Sequence, residues 1–280
     1  MTESRKFQST TDIQKSADIQ KIIDFHTHPY LSAAENSCMY QDDFKLTVQE
    51  ARADLERAGI THICGSVIEV GGYSGITHLR QLNETALKLK ELYGDFYTPG
   101  FHIHPGFVED SLEIVEFMHE NGYRLIGELV PYMHGWNERG LDYGSDELGK
   151  ILELAGKYHM ILSFHTMTEW GAETEHMIAS HPDVTFVAAH PGERAQCMRH
   201  LELMETYENM YLDLSGTGIA RYGMIREAVR RVGAERILFG TDYPIQNPGM
   251  YVEAVRFEHI SEEERALIFY GNAERILNQK

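Results

Sequence analysis

The sequence predicts an α/β fold, a single-domain (β/α)8 TIM barrel, on three observations. The chain has 280 residues, a length at which such barrels form one unit around one core. From Lys21 onward, short β-branched or aromatic runs alternate with longer amphipathic stretches, the signature of repeated βα units. The first strand ends in HTHPY, where a doubly wound sheet would normally carry a glycine-rich phosphate loop.

Residues 1–20 show no clear apolar period and read as a flexible lead-in, which leaves 21–280 for the barrel. The predicted strands are Ile22–His28, Thr61–Val67, Tyr97–Ile103, Leu125–Val130, Met160–His165, Thr185–His190, Met210–Leu214 and Ile237–Thr241. A helix-length segment follows each. After the first, Thr47 and Glu50 make a capping box, Val48, Ala51, Leu55 and Ala58 recur at helical spacing, and Gly59 offers a left-handed stop. Leu79–Leu92 reads as an amphipathic helix of the outer ring. Ser145 opens a helical segment that ends near Tyr158, before MILSFH, and Arg221–Val232 gives way through Gly233 to RILFG. Ser261 and Glu264 form a second capping box, leading into closing helices through Lys280.

Forty-three acidic against 25 basic residues give a net charge of −18, so the surface repels phosphate backbones and anionic lipid. Neither nucleic acid nor membrane is an expected partner; a small-molecule substrate is, and the outer helices leave room for a homo-oligomer. Cys38, Cys64 and Cys197 are odd in number and lack CxxC spacing, which argues against a disulfide framework and a thiolate zinc site. A polar N-terminus and the lack of any apolar run near the roughly 18 to 20 residues that span a bilayer complete the expectation of a cytoplasmic protein.

In such a barrel the active site lies at the C-terminal ends of the strands. His26 and His28, in IIDFHTHP, are one residue apart on a strand, so a period of two points both imidazoles to one face. Four further strands end in a metal-type side chain: Glu128 in RLIGELVPY, His165 in MILSFHT, His190 in VTFVAAHPG and Asp242 in ILFGTDYP. Each has an ordinary reading alone, as a hydrogen-bonded strand-end histidine, a salt-bridge partner or a turn initiator. Six of them ending five strands, beside apolar runs where a lone carboxylate is costly, point together to bound metal. Histidine and carboxylate without thiolate favour Zn2+ and also suit Mn2+, Fe2+, Co2+ or Ni2+, as one ion or two. A water bound there would have its pKa lowered toward about 7, with Asp242 as the base that takes its proton. His190 is then a second-ion ligand or a donor to the substrate.

Around this set, His104 in GFHIHPG is expected to reach substrate, beside His102. Tyr132, His134 and Trp136 fall in a loop that would supply aromatic walls, Arg194 is placed to clamp a substrate carboxylate, and Asp213 to bond a ligand histidine.

The ordered set of HxH, two later histidines and a final aspartate resembles the amidohydrolase superfamily, most closely its amidohydrolase-related (amidohydrolase 2-like) branch, which also holds metal-dependent decarboxylases. YGNAERIL, residues 270–277, is similar to a segment that closes chains of that branch, and the resemblance runs from Ile22 to Leu277. It implies that His26, His28, His165 and Asp242 bind one metal and that His190 is a catalytic histidine or a ligand of a second. Glu128 stands where binuclear members bring a carboxylated lysine, and in this it resembles the glutamate-bridged TatD-like deoxyribonucleases, although the acidic surface argues against DNA. Because the simplest decarboxylase-like sites need one ion and no ligand from strand four, Glu128 tilts the expectation toward hydrolysis.

The expected function is therefore a metal-dependent hydrolase whose metal-activated water cleaves a small amide, ester or lactone, Asp242 shuttling the proton and His190 assisting. The alternative is a metal-dependent nonoxidative decarboxylase of a small carboxylic acid. A third reading is a noncatalytic barrel that binds metal or ligand and turns over nothing.

Overall fold

The computed structural model of the chain describes residues 21–33, 45–69, 73, 75–166 and 171–279; the expected lead-in and Cys38 lie outside them. Eight strands pair in sequence order, every neighbouring pair parallel: β1 Ile23–Asp24, β2 His62–Gly65, β3 Tyr97–Phe101, β4 Leu125–Leu129, β5 Ile161–His165, β6 Thr185–Ala189, β7 Met210–Asp213 and β8 Ile237–Leu238. The ring closes between β8 and β1. Phe25 N–H donates to Phe239 O at 2.8 Å, Asp242 N–H to His26 O at 2.8 Å and His28 N–H to Tyr243 O at 2.7 Å. The architecture is the expected (β/α)8 barrel.

Helices α1 Val48–Arg57, α2 Ile76–Tyr93, α3 Val108–Glu120, α4 Asp146–Lys157, α5 Ala172–Ser180, α6 Arg194–Thr206, α7 Met224–Val232 and α8 Pro248–Phe257 follow the strands in turn. Short α9 Glu262–Ala266, a π-helical turn and α10 Asn272–Leu277 end the chain. Both expected capping boxes form, Thr47 with Glu50 and Ser261 with Glu264, each side chain taking a backbone donor the first helical turn leaves free. Helix α7 starts at Met224, three residues beyond the expected Arg221, because left-handed Gly223 serves as its N-cap. Among the described residues no helix is long and apolar enough to cross a membrane.

Strand alternation divides the core in two. Ile23, Phe25, Leu125, Ile161, Val187 and Leu238 fill the barrel, closed from below by Ala273 and Ile276 of α10, while Ile126, Leu162, Phe164, Phe186 and Ala188 pack outward against the helices. All eight observed strands are shorter than the predicted runs. On β1 the ladder stops at Asp24, so His26 and His28 lie beyond it, at the rim where side chains can converge.

One irregularity matters for the site. Simple alternation from inward Leu125 would send Glu128 outward, but the β4–β5 register shifts between Ile126 and Leu129, and such a shift re-aims a side chain. Gly127 is required there: its φ is +91°, and a Cβ would lie 2.2 Å from Ser163 O.

Candidate metal centre

His26 and His28 present their Nε2 atoms 3.2 Å apart, with rings near perpendicular at 88°. Each ring is held through its other nitrogen. His26 Nδ1 bonds Asp213 Oδ2 at 2.9 Å, and His28 Nδ1 bonds Ser66 O at 3.0 Å. A carbonyl and a carboxylate accept only, so both Nδ1 atoms carry a proton; burial alone would lower both imidazoles, but Asp213, Glu128 and Asp242 raise them, His28 to about 9, and a bound cation would displace the Nε2 protons and take both lone pairs. Two converging lone pairs are stabilised by a cation between them.

Two carboxylates complete the cage. Glu128 Oε2 lies 3.5 Å from His26 Nε2 and 3.6 Å from His28 Nε2; Asp242 Oδ1 lies 3.7 and 3.3 Å from the same atoms. The ligand atoms of His26, His28 and Asp242 all lie within 4.8 Å of one another, the spacing of a group that could hold a divalent metal, and Glu128 stands against the same histidine pair. All four residues are buried.

The remaining side chains meet this cage through Glu128. Its Oε1 accepts from His165 Nδ1 at 2.8 Å and lies 3.5 Å from His190 Nε2. His190 Nδ1 donates to Ser215 Oγ at 3.0 Å, and the Ser215 hydroxyl donates to Asp213 Oδ1. A second grouping, His26, Glu128 and His190, also has metal-site spacing, but it shares His26 with the first, and one lone pair serves one ion.

Electrostatics follow from crowding. Burial by itself would raise the Glu128 carboxyl, yet His26 and His165 beside it hold it well below the usual carboxylate range. Burial lowers His190, only partly offset by Glu128 and Asp242. Beneath the cage, burial pushes Asp24 up to about 7, against hydrogen bonds from Thr241 and the His26 amide. His190 and Asp242 both have positive φ, 70° and 69°, a conformation that costs of order 1–3 kcal/mol outside glycine and marks positions fixed by their surroundings.

The structure thus brings together His26, His28, Glu128, His165, His190 and Asp242, with His165 and His190 facing the far oxygen of Glu128. Two expected substrate contacts are not at the cage. His104 is buried with both ring nitrogens engaged, Nε2 donating to His134 O at 2.9 Å and Nδ1 accepting from Gly106 N–H at 2.8 Å, so its ring has nothing left to offer a substrate. Arg194 opens α6 on the exposed surface, and Glu193 before it pairs with Arg221 instead. The sequence reading missed Ser215, whose signal was present: in MYLDLSG it follows Asp213 at the same period of two that pairs His26 with His28.

Residues 23–279 match the sequence model of the amidohydrolase family. The chain belongs to the amidohydrolase family. A 69-residue stretch is 38% identical to gamma-resorcylate decarboxylase of Polaromonas sp. (strain JS666), covering 25% of this chain and 21% of that relative. The match therefore spans about a fifth of the curated relative's length. Among solved structures, 2,6-dihydroxybenzoate decarboxylase from Rhizobium is similar with a TM-score of 0.71 at 16% identity, over 92% of this chain and 99% of that one. The 5-carboxyvanillate decarboxylase of Novosphingobium aromaticivorans, complexed with manganese and 4-hydroxy-3-methoxy-5-nitrobenzoic acid, has a TM-score of 0.67 at 14% identity, over 93% and 97%.

These findings correct the expectation of hydrolysis: the named relatives are decarboxylases, which was the alternative reading. Glu128 presents one oxygen to the histidine pair and the other to His165 and His190, and that position by itself does not select hydrolysis. Histidine and carboxylate groups that could hold a divalent metal are present, and nothing among them singles out zinc.

Proposed function

We propose that this amidohydrolase-family barrel is a metal-dependent nonoxidative decarboxylase of a small aromatic carboxylic acid, working with one divalent ion held by His26, His28, Glu128 and Asp242. The observation that carries the reading is the convergence of His26, His28 and Asp242 at metal-site spacing, with Glu128 against the same histidine pair. Their N2O2 chemistry suits Zn2+ and Mn2+ alike. When bound, the metal supplies a Lewis acid that fixes and polarises substrate oxygens.

In the reaction a proton adds to the ring carbon that bears the carboxylate, the bond to the carboxylate carbon breaks, and its electron pair restores the aromatic ring as CO2 leaves. His190 is the proton carrier in this reading. Its Nδ1 proton is committed to Ser215 Oγ, which leaves Nε2, on the cage side, to take a proton from solvent and pass it to carbon. The lowering of His190 by burial makes the protonated ring a stronger donor. Asp213 keeps it in place, accepting from the His190 backbone N–H at 3.3 Å and from Ser215. Tyr132, 52% exposed and edge-on to His165 at 5.4 Å, forms the open wall against which an aromatic ring would lie.

Incubating the metal-loaded protein in D2O with a panel of hydroxylated benzoates tests this. The expected result is one CO2 per ring product and one deuterium at the carbon that lost it. No CO2 from any acid, with solvent oxygen appearing in a cleaved amide, ester or lactone, would reject the proposal.

A further inference from the structure

Beside the cage, on the β2-to-β4 side of the rim, five uncharged polar residues gather. The rings of Tyr73 and His134 meet edge to face at 4.5 Å, His102 lies 5.4 Å from Tyr73 and 5.2 Å from His134, and Trp136 lies 6.1 Å from His134. The loops that carry them are tied together, Tyr73 N–H donating to Met133 O at 3.0 Å and His104 Nε2 to His134 O at 2.9 Å. One short stretch joins this cluster to the cage: the carbonyl of Ser66 holds His28 Nδ1 at 3.0 Å, and the next, of Val67, holds His102 Nε2 at 2.7 Å.

Despite that ordering, Ser66 Oγ, His102 Nδ1, both ring nitrogens of His134 and Trp136 Nε1 are buried with no hydrogen-bond partner among the described residues. Ser66, His102 and Trp136 are each 0% exposed and His134 is 3% exposed. Unpaired buried polar atoms are costly and folded proteins keep few, so a concentration of them beside a metal cage marks a place that meets a polar ligand group. Their chemistry defines that group. His102 donates through Nε2, so its Nδ1 accepts; Trp136 donates; the hydroxyls of Ser66 and Tyr73 do either. Burial brings His102 down to about 4 and His134 well below its usual value, so both are neutral near pH 7. With neither cation nor carboxylate among the five, the cluster suits a neutral hydroxyl and not a second carboxylate.

We propose that Ser66, Tyr73, His102, His134 and Trp136 form an uncharged hydrogen-bonding subsite that receives a hydroxyl substituent of the substrate ring while the acid group lies at the metal cage. This rests on the decarboxylase reading and assigns the residues that would select a ring hydroxyl away from the metal.

Calorimetric titration of the metal-loaded protein with benzoate and the monohydroxybenzoates tests the subsite. In the unaltered protein at least one hydroxybenzoate binds about tenfold more tightly than benzoate, the order of one well-made hydrogen bond. His102→Phe and His134→Phe keep ring volume, and each is expected to erase most of that margin, with benzoate affinity and metal content unchanged. Ser66→Ala, which removes one oxygen with little change in packing, narrows the margin in the same sense should the larger changes prevent folding. A margin that survives all three variants reflects chelation by the metal alone and overturns the subsite. Equal binding of benzoate and every hydroxybenzoate also overturns it while leaving decarboxylation intact. Binding of none of these acids rejects the decarboxylase reading and the subsite together.

Discussion

Asp213, at the end of β7, accepts the Nδ1 proton of His26 at 2.9 Å across 187 residues of sequence. Its other oxygen takes the amides of Ser215 at 2.9 Å and His190 at 3.3 Å, together with the Ser215 hydroxyl. One buried carboxylate therefore sets the orientation of a cage donor and of the histidine assigned to proton transfer. Burial opposes its ionisation, and His26 outweighs burial, holding Asp213 below its ordinary range.

Replacing that carboxylate should loosen the metal without emptying the barrel. Partners that orient a ligating histidine typically matter by about 10–100-fold in metal affinity. Asp213→Asn is expected to weaken metal binding by that order in competition with a chelator of known affinity, and an unchanged dissociation constant would show that the bond does not tune the cage.

Glu128 and His165 divide one contact in two, and their substitutions should separate. Glu128→Gln removes a charged donor from the cage and is expected to leave the purified protein with far less than one equivalent of metal. His165→Gln leaves all four cage atoms and should retain nearly the full content while lowering turnover. Elemental analysis of both decides the matter, and the reverse order would move the ligand role to His165.

Gly216 lies against His190: a Cβ there would sit 2.2 Å from His190 Nδ1, at a residue whose φ is +60°. Gly216→Ala should displace the imidazole from Ser215. We expect kcat to fall by on the order of 10²-fold, the scale of a small misplacement of a catalytic group, with metal content preserved. Wild-type turnover in this variant would remove His190 from proton transfer.

His200, wholly buried on α6, is brought by burial down to about 3. Its folded value is depressed, so the unfolded chain binds the extra proton first as pH falls below the ordinary histidine range, and the stability present above about pH 6.5 is lost progressively toward pH 3. Urea unfolding of His200→Leu should show a shallower acid decline over this window than the unaltered protein. Parallel curves would mean that His200 does not drive the acid sensitivity.

Much of the site was legible because its residues sit at repeating positions. HxH at the end of the first strand announces a shared face, since alternation is a local property of extended backbone, and Glu128, His165, His190 and Asp242 each terminate a strand of readable pattern. His104 misled for a related reason. It repeats the same spacing with His102, but spacing does not say who takes the ring nitrogens, and the loop carrying Gly106 and the His134 carbonyl takes both. Decarboxylation could not be separated from hydrolysis by the presence of Glu128, because one carboxylate has two oxygens and their partners come from different strands.

By itself the chain determined the barrel, its strand order, the capping boxes at Thr47 and Ser261, and the collection of metal-type side chains at one rim, all of which follow from periodicity and caps within a few residues. The tertiary structure alone decided that Glu128 turns inward through the register shift of β4, that His165 meets Glu128, and that unpaired polar groups collect beside the cage. Those outcomes depend on which atoms from distant strands compete for the same hydrogen or lone pair, and no local pattern carries that information.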